Sequence, residues 1–298
     1  MIDRRTFIAA AALTLAAGCR AAPRAPAPDD VARKAALGFE AIRATLGRGG
    51  RLGVAAIDVG SGRELRFDAN SLYPLASTFK LPLAAFVLAL VEQGKASLDE
   101  ELPFGPDDPL DNSPTVAANL ARGRLPLRQL CAAIIEVSDN SAANILLRRT
   151  GGPEALTRFI RAQGDPVTRL DRFEMELGSN LPGDPRDTTS PAAMAGLARR
   201  IVLGGVLGEE NRTRLQTWLR KSVPGPDRLK AGLPSPPWLV GHKTGTAANG
   251  GINDVAIAWR SGKPPVVIAC YLSGGNAAPP VRFAAHASVA RVVAETFG

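Results

Sequence analysis

Apolar positions along this chain recur with two periods. Val31 to Leu46 carries helical spacing and stops at Gly47. Leu81 to Val91 is almost continuously apolar and predicts a buried helix that ends at Gly94. Leu127, Leu130, Cys131, Ile134 and Ile135 mark another helix. Ala143 to Arg149 predicts a helix closed by Gly151-Gly152, and Pro153 opens the next, which runs to Gly164. Pro191 to Gly204 and Glu209 to Lys221 are also predicted helical. The ends of the chain read differently. Leu52 to Val59 and Glu64 to Phe67 are short strands around the turn signal Ser61-Gly62. After Pro236-Pro237, Trp238 to Thr246, Ile252 to Arg260 and Pro265 to Ser273 predict three strands, and Val281 to Phe297 a closing helix. Their short connections favour antiparallel neighbours. The economical fold is α/β of the α+β type: one antiparallel sheet built from both termini, flanked by terminal helices, with an all-helical domain inserted. The expected division is 30–68 with 226–298 as the sheet domain and 69–225 as the helical one.

Composition narrows the function classes. The 298 residues carry a net charge of +8, but lysines and arginines are scattered and no basic, aromatic-interleaved stretch appears. No nucleic-acid footprint is expected. With two histidines, His242 and His286, and no Cys-x-x-Cys, no metal and no cofactor are expected. Cys131 and Cys270 fall on different apolar elements and predict buried thiols. The N-terminus looks like a targeting segment. Arg4-Arg5 precede an apolar stretch from Phe7 to Ala17, as in a twin-arginine export signal or a general secretory one. Leu15 to Cys19 resembles a bacterial lipobox, in which case Cys19 would carry lipid. The alternative is cleavage within the Ala/Pro-rich tether that follows. Either reading exports the protein from a bacterial cytoplasm to the periplasm, and a monomer is expected.

Three short motifs carry the chemistry. Ser77-Thr78-Phe79-Lys80 heads the apolar helix, so Lys80 can reach back one turn to the Ser77 hydroxyl. A serine needs a neighbouring base to become nucleophilic, and a desolvated lysine can be one. Taken alone, one such match is expected by chance. Ser138-Asp139-Asn140 lies between two helices, where polar residues often serve only as caps. In a functional reading, Ser138 relays a proton and Asn140 binds a substrate amide and the lysine. Lys243-Thr244-Gly245-Thr246 lies on the first late strand. A lone Lys-Thr-Gly is common on edge strands. Here Lys243 and Thr244 would attract an anion, and Gly245 would let a substrate lie beside the strand.

Together and in this order, the three motifs resemble the serine β-lactamase and penicillin-binding protein superfamily. A fourth stretch, Arg169 to Leu177 followed by Leu181 to Thr189, resembles the Ω-loop of class A β-lactamases, here 169–187. The resemblance covers nearly all of the chain after its export region. It implies an active site between the sheet and the helical domain. Ser77 would be the nucleophile, with Lys80, or Glu174 through a water, as its base. Ser138 would be the proton donor to the leaving nitrogen, and Glu174 the base for the hydrolytic water. The substrate would be held by Asn140, Lys243, Thr244, Gly245, Thr246 and Arg228, with an oxyanion hole from the Ser77 and Thr246 N–H groups. Arg172 and Asp187 would close the loop by an ion pair. Asn253-Asp254 supports the assignment of Arg228.

The implied reaction is hydrolysis of penicillins and cephalosporins through a serine acyl-enzyme. A D-alanyl-D-alanine peptidase or a covalent β-lactam sensor would share the first three motifs. Three departures from the family pattern stand out. Gly178 replaces the asparagine that usually helps hold the hydrolytic water, although some hydrolytic members also carry glycine. Asn112 stands where many members place an aromatic at the cleft mouth. Ala76 and Ala247 stand where one carbapenem-hydrolysing group has a cysteine pair.

Overall fold

A computed structural model describes residues 28–298. The export signal, Cys19 and the tether as far as residue 27 lie outside the described residues; the helix expected from Val31 begins earlier, at Pro28, and takes in the tether's last residues. Helix α1 (Pro28–Ala44) leads into strands β1 (Arg51–Asp58) and β2 (Glu64–Phe67). The chain ends in β7 (Trp238–Ala247), β8 (Gly251–Arg260), β9 (Lys263–Ser273) and α9 (Pro279–Phe297). These five strands form one sheet in the order β2-β1-β9-β8-β7. Every neighbouring pair in it is antiparallel. Strands from both ends of the sequence therefore meet at the β1–β9 seam, where Arg51 faces Ser273 and Asp58 faces Val266.

The two-residue period of β1 decides which core each side chain joins. Val54 and Ala56 pack with Phe39, Val289 and Val293 under α1 and α9. Ala55 and Ile57 join the larger core shared with the helices on the other face. At the centre of that core is α2 (Lys80–Glu92), buried from Lys80 to Ala85 without interruption. A helix apolar on all sides is a core helix, and each fully buried leucine adds roughly 1.5–3 kcal/mol. Around it lie α4 (Leu127–Glu136), α5 (Asn140–Thr150), α6 (Gly152–Ala162), α7 (Pro191–Ala198) and α8 (Glu209–Arg220).

Some details differ from the sequence expectations. Helix α5 begins three residues before Ala143, at Asn140, because Asp139 caps it by accepting the Ala142 N–H at 2.8 Å. The helix predicted to reach Gly204 changes to a π-turn over Arg199–Leu203. Short strands β3 (Tyr73–Pro74) and β6 (Thr188–Thr189) pair with each other, as do β4 (Glu101–Pro103) and β5 (Arg124–Pro126). Two residues are too few to leave a periodic signal. The remaining helix is α3 (Pro114–Ala118). Cys131 and Cys270 are free, buried thiols. Among the described residues, no helix is long and apolar enough to cross a membrane.

Candidate active site

The β3 strand ends at a tight corner. Ala76 takes a left-handed backbone (φ 43°), and a 3₁₀ turn, Ala76–Phe79, carries Ser77 into α2. The corner is pinned from three sides. The Thr78 hydroxyl donates to the Leu75 carbonyl at 2.5 Å and lies 3.0 Å from the Tyr271 hydroxyl. Asn253 on β8 donates its side-chain amide to the Pro74 carbonyl at 2.7 Å. The Leu75 N–H donates to the Asp187 carbonyl at 2.7 Å, tying the corner to the loop below. Strand β7 runs hard against it. A Cβ on Gly245 would stand 3.0 Å from Ala76 Cβ and 3.2 Å from Ser77 N. Gly245 thus serves the close approach of strand and nucleophile turn as well as any ligand beside the strand.

Lys80 is fully buried, yet its Nζ is crowded with partners. It donates to Ser77 Oγ at 3.0 Å, the Ser138 carbonyl at 2.8 Å and Asn140 Oδ1 at 2.5 Å. Those three acceptors match the three hydrogens of an ammonium. Glu174 Oε1 lies 3.1 Å away but makes no aligned hydrogen bond. Glu174 therefore acts on Lys80 chiefly as a nearby charge. Burial pulls the Lys80 ammonium below the usual lysine range, and the Glu174 carboxylate opposes that shift.

A second buried lysine approaches from the sheet. Lys243 Nζ donates to Ser138 Oγ at 2.9 Å and to the Thr244 carbonyl at 2.8 Å. Burial lowers its pKa well below the ordinary value, and the charges of Lys80 and Arg228 push the same way. The Ser138 hydroxyl sits between two amines, with Lys80 Nζ at 3.4 Å on its other side. Asp139, fully buried, holds this segment by also accepting the Thr115 and Val116 N–H groups at 2.8 and 3.1 Å. The capping role and the functional placement of this tripeptide therefore coexist. Asn112 folds its side chain back and donates to the Ser138 carbonyl at 3.0 Å.

The Glu174 segment is gripped by a residue that the sequence reading passed over. Asn144 Oδ1 accepts the Glu174 N–H at 3.0 Å, and Asn144 Nδ2 donates to the Glu174 carbonyl at 2.9 Å. The available signal was its spacing. Asn144 follows Asn140 by four residues and shares its helix face. Further along the loop, the Arg172 Nε donates to Asp187 Oδ2 at 2.6 Å, and the other carboxylate oxygen takes the Asp171 and Arg172 N–H groups. A Cβ at Gly178 would meet nothing within 4 Å, and the Gly178 carbonyl accepts the Ala248 N–H at 2.9 Å. Asn180 and Asn249 then lock the loop to the β7–β8 turn. Asn180 Nδ2 reaches the Ala248 carbonyl at 2.8 Å, and Asn249 Nδ2 reaches the Asn180 carbonyl at 3.0 Å.

Arg228 closes the other end of the cleft. Its guanidinium is largely buried and donates to the carbonyls of Gly245 and Asn253, each at 2.9 Å, and to the Thr246 hydroxyl at 3.0 Å. Asp254 accepts the Leu229 N–H at 3.2 Å and faces His242 Nδ1 at 3.1 Å, fixing the segment that bears Arg228. Thr246 itself is exposed, and Thr244 is buried beside it. The structure thus gathers Ser77, Lys80, Ser138, Asn140, Glu174 and Lys243 into one network. Thr244, Gly245, Thr246 and Arg228 line its sheet side, and Arg172 and Asp187 stand behind the loop.

Residues 39–297 match the family described as the Beta-lactamase enzyme family. The chain is 39% identical over 301 residues to the beta-lactamase AST-1 of Nocardia asteroides, covering 99% of this chain and 96% of the relative. It is 40% identical to the carbapenem-hydrolyzing beta-lactamase KPC of Klebsiella oxytoca, over 84% of this chain and 85% of that protein. Among solved structures, an ancestral (GNCA) class A beta-lactamase superimposes with a TM-score of 0.84 at 44% identity, covering 89% of this chain and 99% of that one.

Proposed function

The chain belongs to the class A branch of the beta-lactamase enzyme family and hydrolyses β-lactams; we propose that it does so through an acyl-enzyme on Ser77. The observation that carries this reading is the position of Lys80 Nζ, 3.0 Å from Ser77 Oγ and 3.1 Å from Glu174 Oε1. A nucleophile, an amine and a carboxylate meet there in one buried cluster.

The substrate carboxylate docks on Thr244, Thr246 and Arg228 within the field of Lys243. The carbonyl oxygen points at the Ser77 and Thr246 N–H groups. Ser77 Oγ attacks the strained amide carbon. Its proton passes to the neutral Lys80 amine, or through a water to Glu174. The tetrahedral intermediate collapses by breaking the C–N bond. Ser138 Oγ gives the leaving nitrogen its proton and regains one from an adjacent lysine. Glu174, restored to its carboxylate by passing any proton it holds to Lys80, then takes a proton from water, whose oxygen attacks the ester; the C–O bond to Ser77 breaks, Ser77 Oγ receives that proton, and the ring-opened acid leaves.

Penicillins and cephalosporins are the proposed substrates. The smaller core, drawn wholly from 30–68 and 226–298, supports a division of those segments from 69–225, while the larger core joins the two parts across the other face of the sheet. The cleft would run between the two parts. Arg4-Arg5 and the following apolar stretch support export to the periplasm, with Cys19 as a candidate lipid anchor.

Nitrocefin turnover by residues 30–298, compared with Glu174→Ala and followed by intact mass with benzylpenicillin, tests the reading. Sustained turnover in the parent and a trapped adduct on Ser77 in the variant are expected. A single burst and a persistent adduct in the parent would indicate a sensor or peptidase instead.

A further inference from the structure

Asn140 has no donor left to offer. Its Oδ1 accepts from Lys80 at 2.5 Å. A side-chain amide carries two N–H hydrogens. One donates to the Asp111 carbonyl at 2.8 Å, and the other to the thioether of Met175 at 3.1 Å. Met175 directly follows Glu174, and despite this contact it is 50% exposed. Its chain is unbranched and flexible, and its sulfur is a weak acceptor. The contact is therefore easily exchanged for one with a stronger acceptor.

We propose that Met175 is a specificity-determining residue. In the free enzyme its thioether caps the Asn140 N–H, and it must swing away before that donor can bind the side-chain amide carbonyl of a β-lactam. Substrates carrying an acylamino group exchange a weak sulfur acceptor for a carbonyl oxygen. They also bear the cost of displacing the side chain. Substrates without that group leave Met175 in place. This inference rests on the β-lactamase reading of Ser77 and Asn140.

Removing the thioether should favour acylamino substrates selectively. For Met175→Ala, kcat/KM for benzylpenicillin relative to the unacylated penicillin nucleus, aminopenicillanic acid, should rise by about threefold or more, the scale of one modest hydrogen bond. Oxidation should act in the opposite sense. Peroxide transfers one oxygen atom to Sδ, oxidising the sulfur by two electrons, and is itself reduced to water. The resulting sulfoxide oxygen is a stronger acceptor and would hold Asn140 more firmly. The chain has three methionines. In residues 30–298 they are Met175 and the fully buried Met194, so mild peroxide selects Met175.

Oxidised parent should lose benzylpenicillin activity several-fold while aminopenicillanic acid turnover holds. Met175→Leu should resist the treatment. Equal changes for both substrates would overturn the proposal and assign Met175 to Glu174 placement. An unchanged ratio in both Met175→Ala and the oxidised parent would overturn it as well. Failure of the untreated parent to turn over either substrate would instead strike the underlying β-lactamase reading.

Discussion

Asn144 holds Glu174 by the main chain at both ends, accepting from its N–H at 3.0 Å and donating to its carbonyl at 2.9 Å. A carboxylate on a loop is only as well placed as its backbone, and here a helix sets that backbone. Asn144→Ala removes both bonds and leaves a half-buried N–H and carbonyl short of partners. Deacylation should slow by at least about tenfold, and acyl-enzyme should accumulate in intact-mass spectra during benzylpenicillin turnover. Unchanged kcat in a folded variant would show that the loop keeps its shape without this clamp.

The Arg172–Asp187 pair can be tested without disturbing the backbone. Asp187 is fully buried and left-handed (φ 55°), a conformation asparagine tolerates well. Asp187→Asn keeps the acceptor for the Asp171 and Arg172 N–H groups and removes the charge opposite Arg172. Leaving the mostly buried guanidinium only its longer pairing with Asp184, at 3.9 Å, should cost roughly 2 kcal/mol. The melting temperature should fall, and limited proteolysis should cut first within 169–187. A melting curve that matches the parent would reduce this pair to a hydrogen-bonding role.

Much of this was legible in the sequence because the chemistry sits in contiguous runs. Ser77 and Lys80 are one helical turn apart, and Lys243 to Thr246 lie on a single strand, so each motif is a readable run; common one by one, they pointed to a site through their joint order and the resemblance it carries. The five main strands and the long helices were also visible, since each repeats its period several times. Asn144, Asn180 and Asn249 were not. Each acts through one hydrogen-bonded contact across the fold, and a single polar residue has no period. The corner at Ala76 was equally silent. Its positive φ occurs where the Ala76–Phe79 turn packs against Gly245 on β7, a long-range constraint that alanine does not advertise. Met175 belonged to no pattern in the sequence, and only its distance to Asn140 gave it a role.

Gly178 offers a substitution that the structure can accept. Its backbone is not left-handed, and an added Cβ would meet open space. Gly178→Asn should therefore fold normally, and its narrower unfolded ensemble should lose slightly less entropy on folding than glycine does. If the missing amide slows deacylation, acyl-enzyme lifetimes should shorten in the variant while acylation rates hold. Identical lifetimes would mean that Glu174 positions the water alone.

Acid stability should carry the mark of His286. Burial depresses its pKa from 6.5 to about 4, and its Nε2 lies 3.1 Å from the Ile252 carbonyl. As pH falls below the unfolded value, the unfolded chain takes up a proton that the folded protein refuses. The stabilisation present above that value is lost progressively as pH falls toward the folded pKa. The loss could reach roughly 3 kcal/mol. His286→Gln keeps an N–H donor but cannot titrate, so its melting temperature should fall less steeply between neutral and acid pH. Parallel curves would exclude His286 as a source of acid sensitivity.

Acylation offers the sharpest test of who takes the Ser77 proton. Burial lowers the Lys80 pKa, while the Glu174 charge 3.1 Å away raises it. Glu174→Gln removes the raising influence and keeps the shape, so the Lys80 pKa should fall further. More neutral amine is then present at any given acidic pH. If Lys80 is the base, the acid limb of the acylation rate, followed by stopped-flow with nitrocefin, should move to lower pH in the variant. If Glu174 acts through a water, the same substitution should suppress acylation by orders of magnitude across the whole profile. The direction of the acid limb in Glu174→Gln thus assigns the proton acceptor, because one base is strengthened in availability by the change that deletes the other.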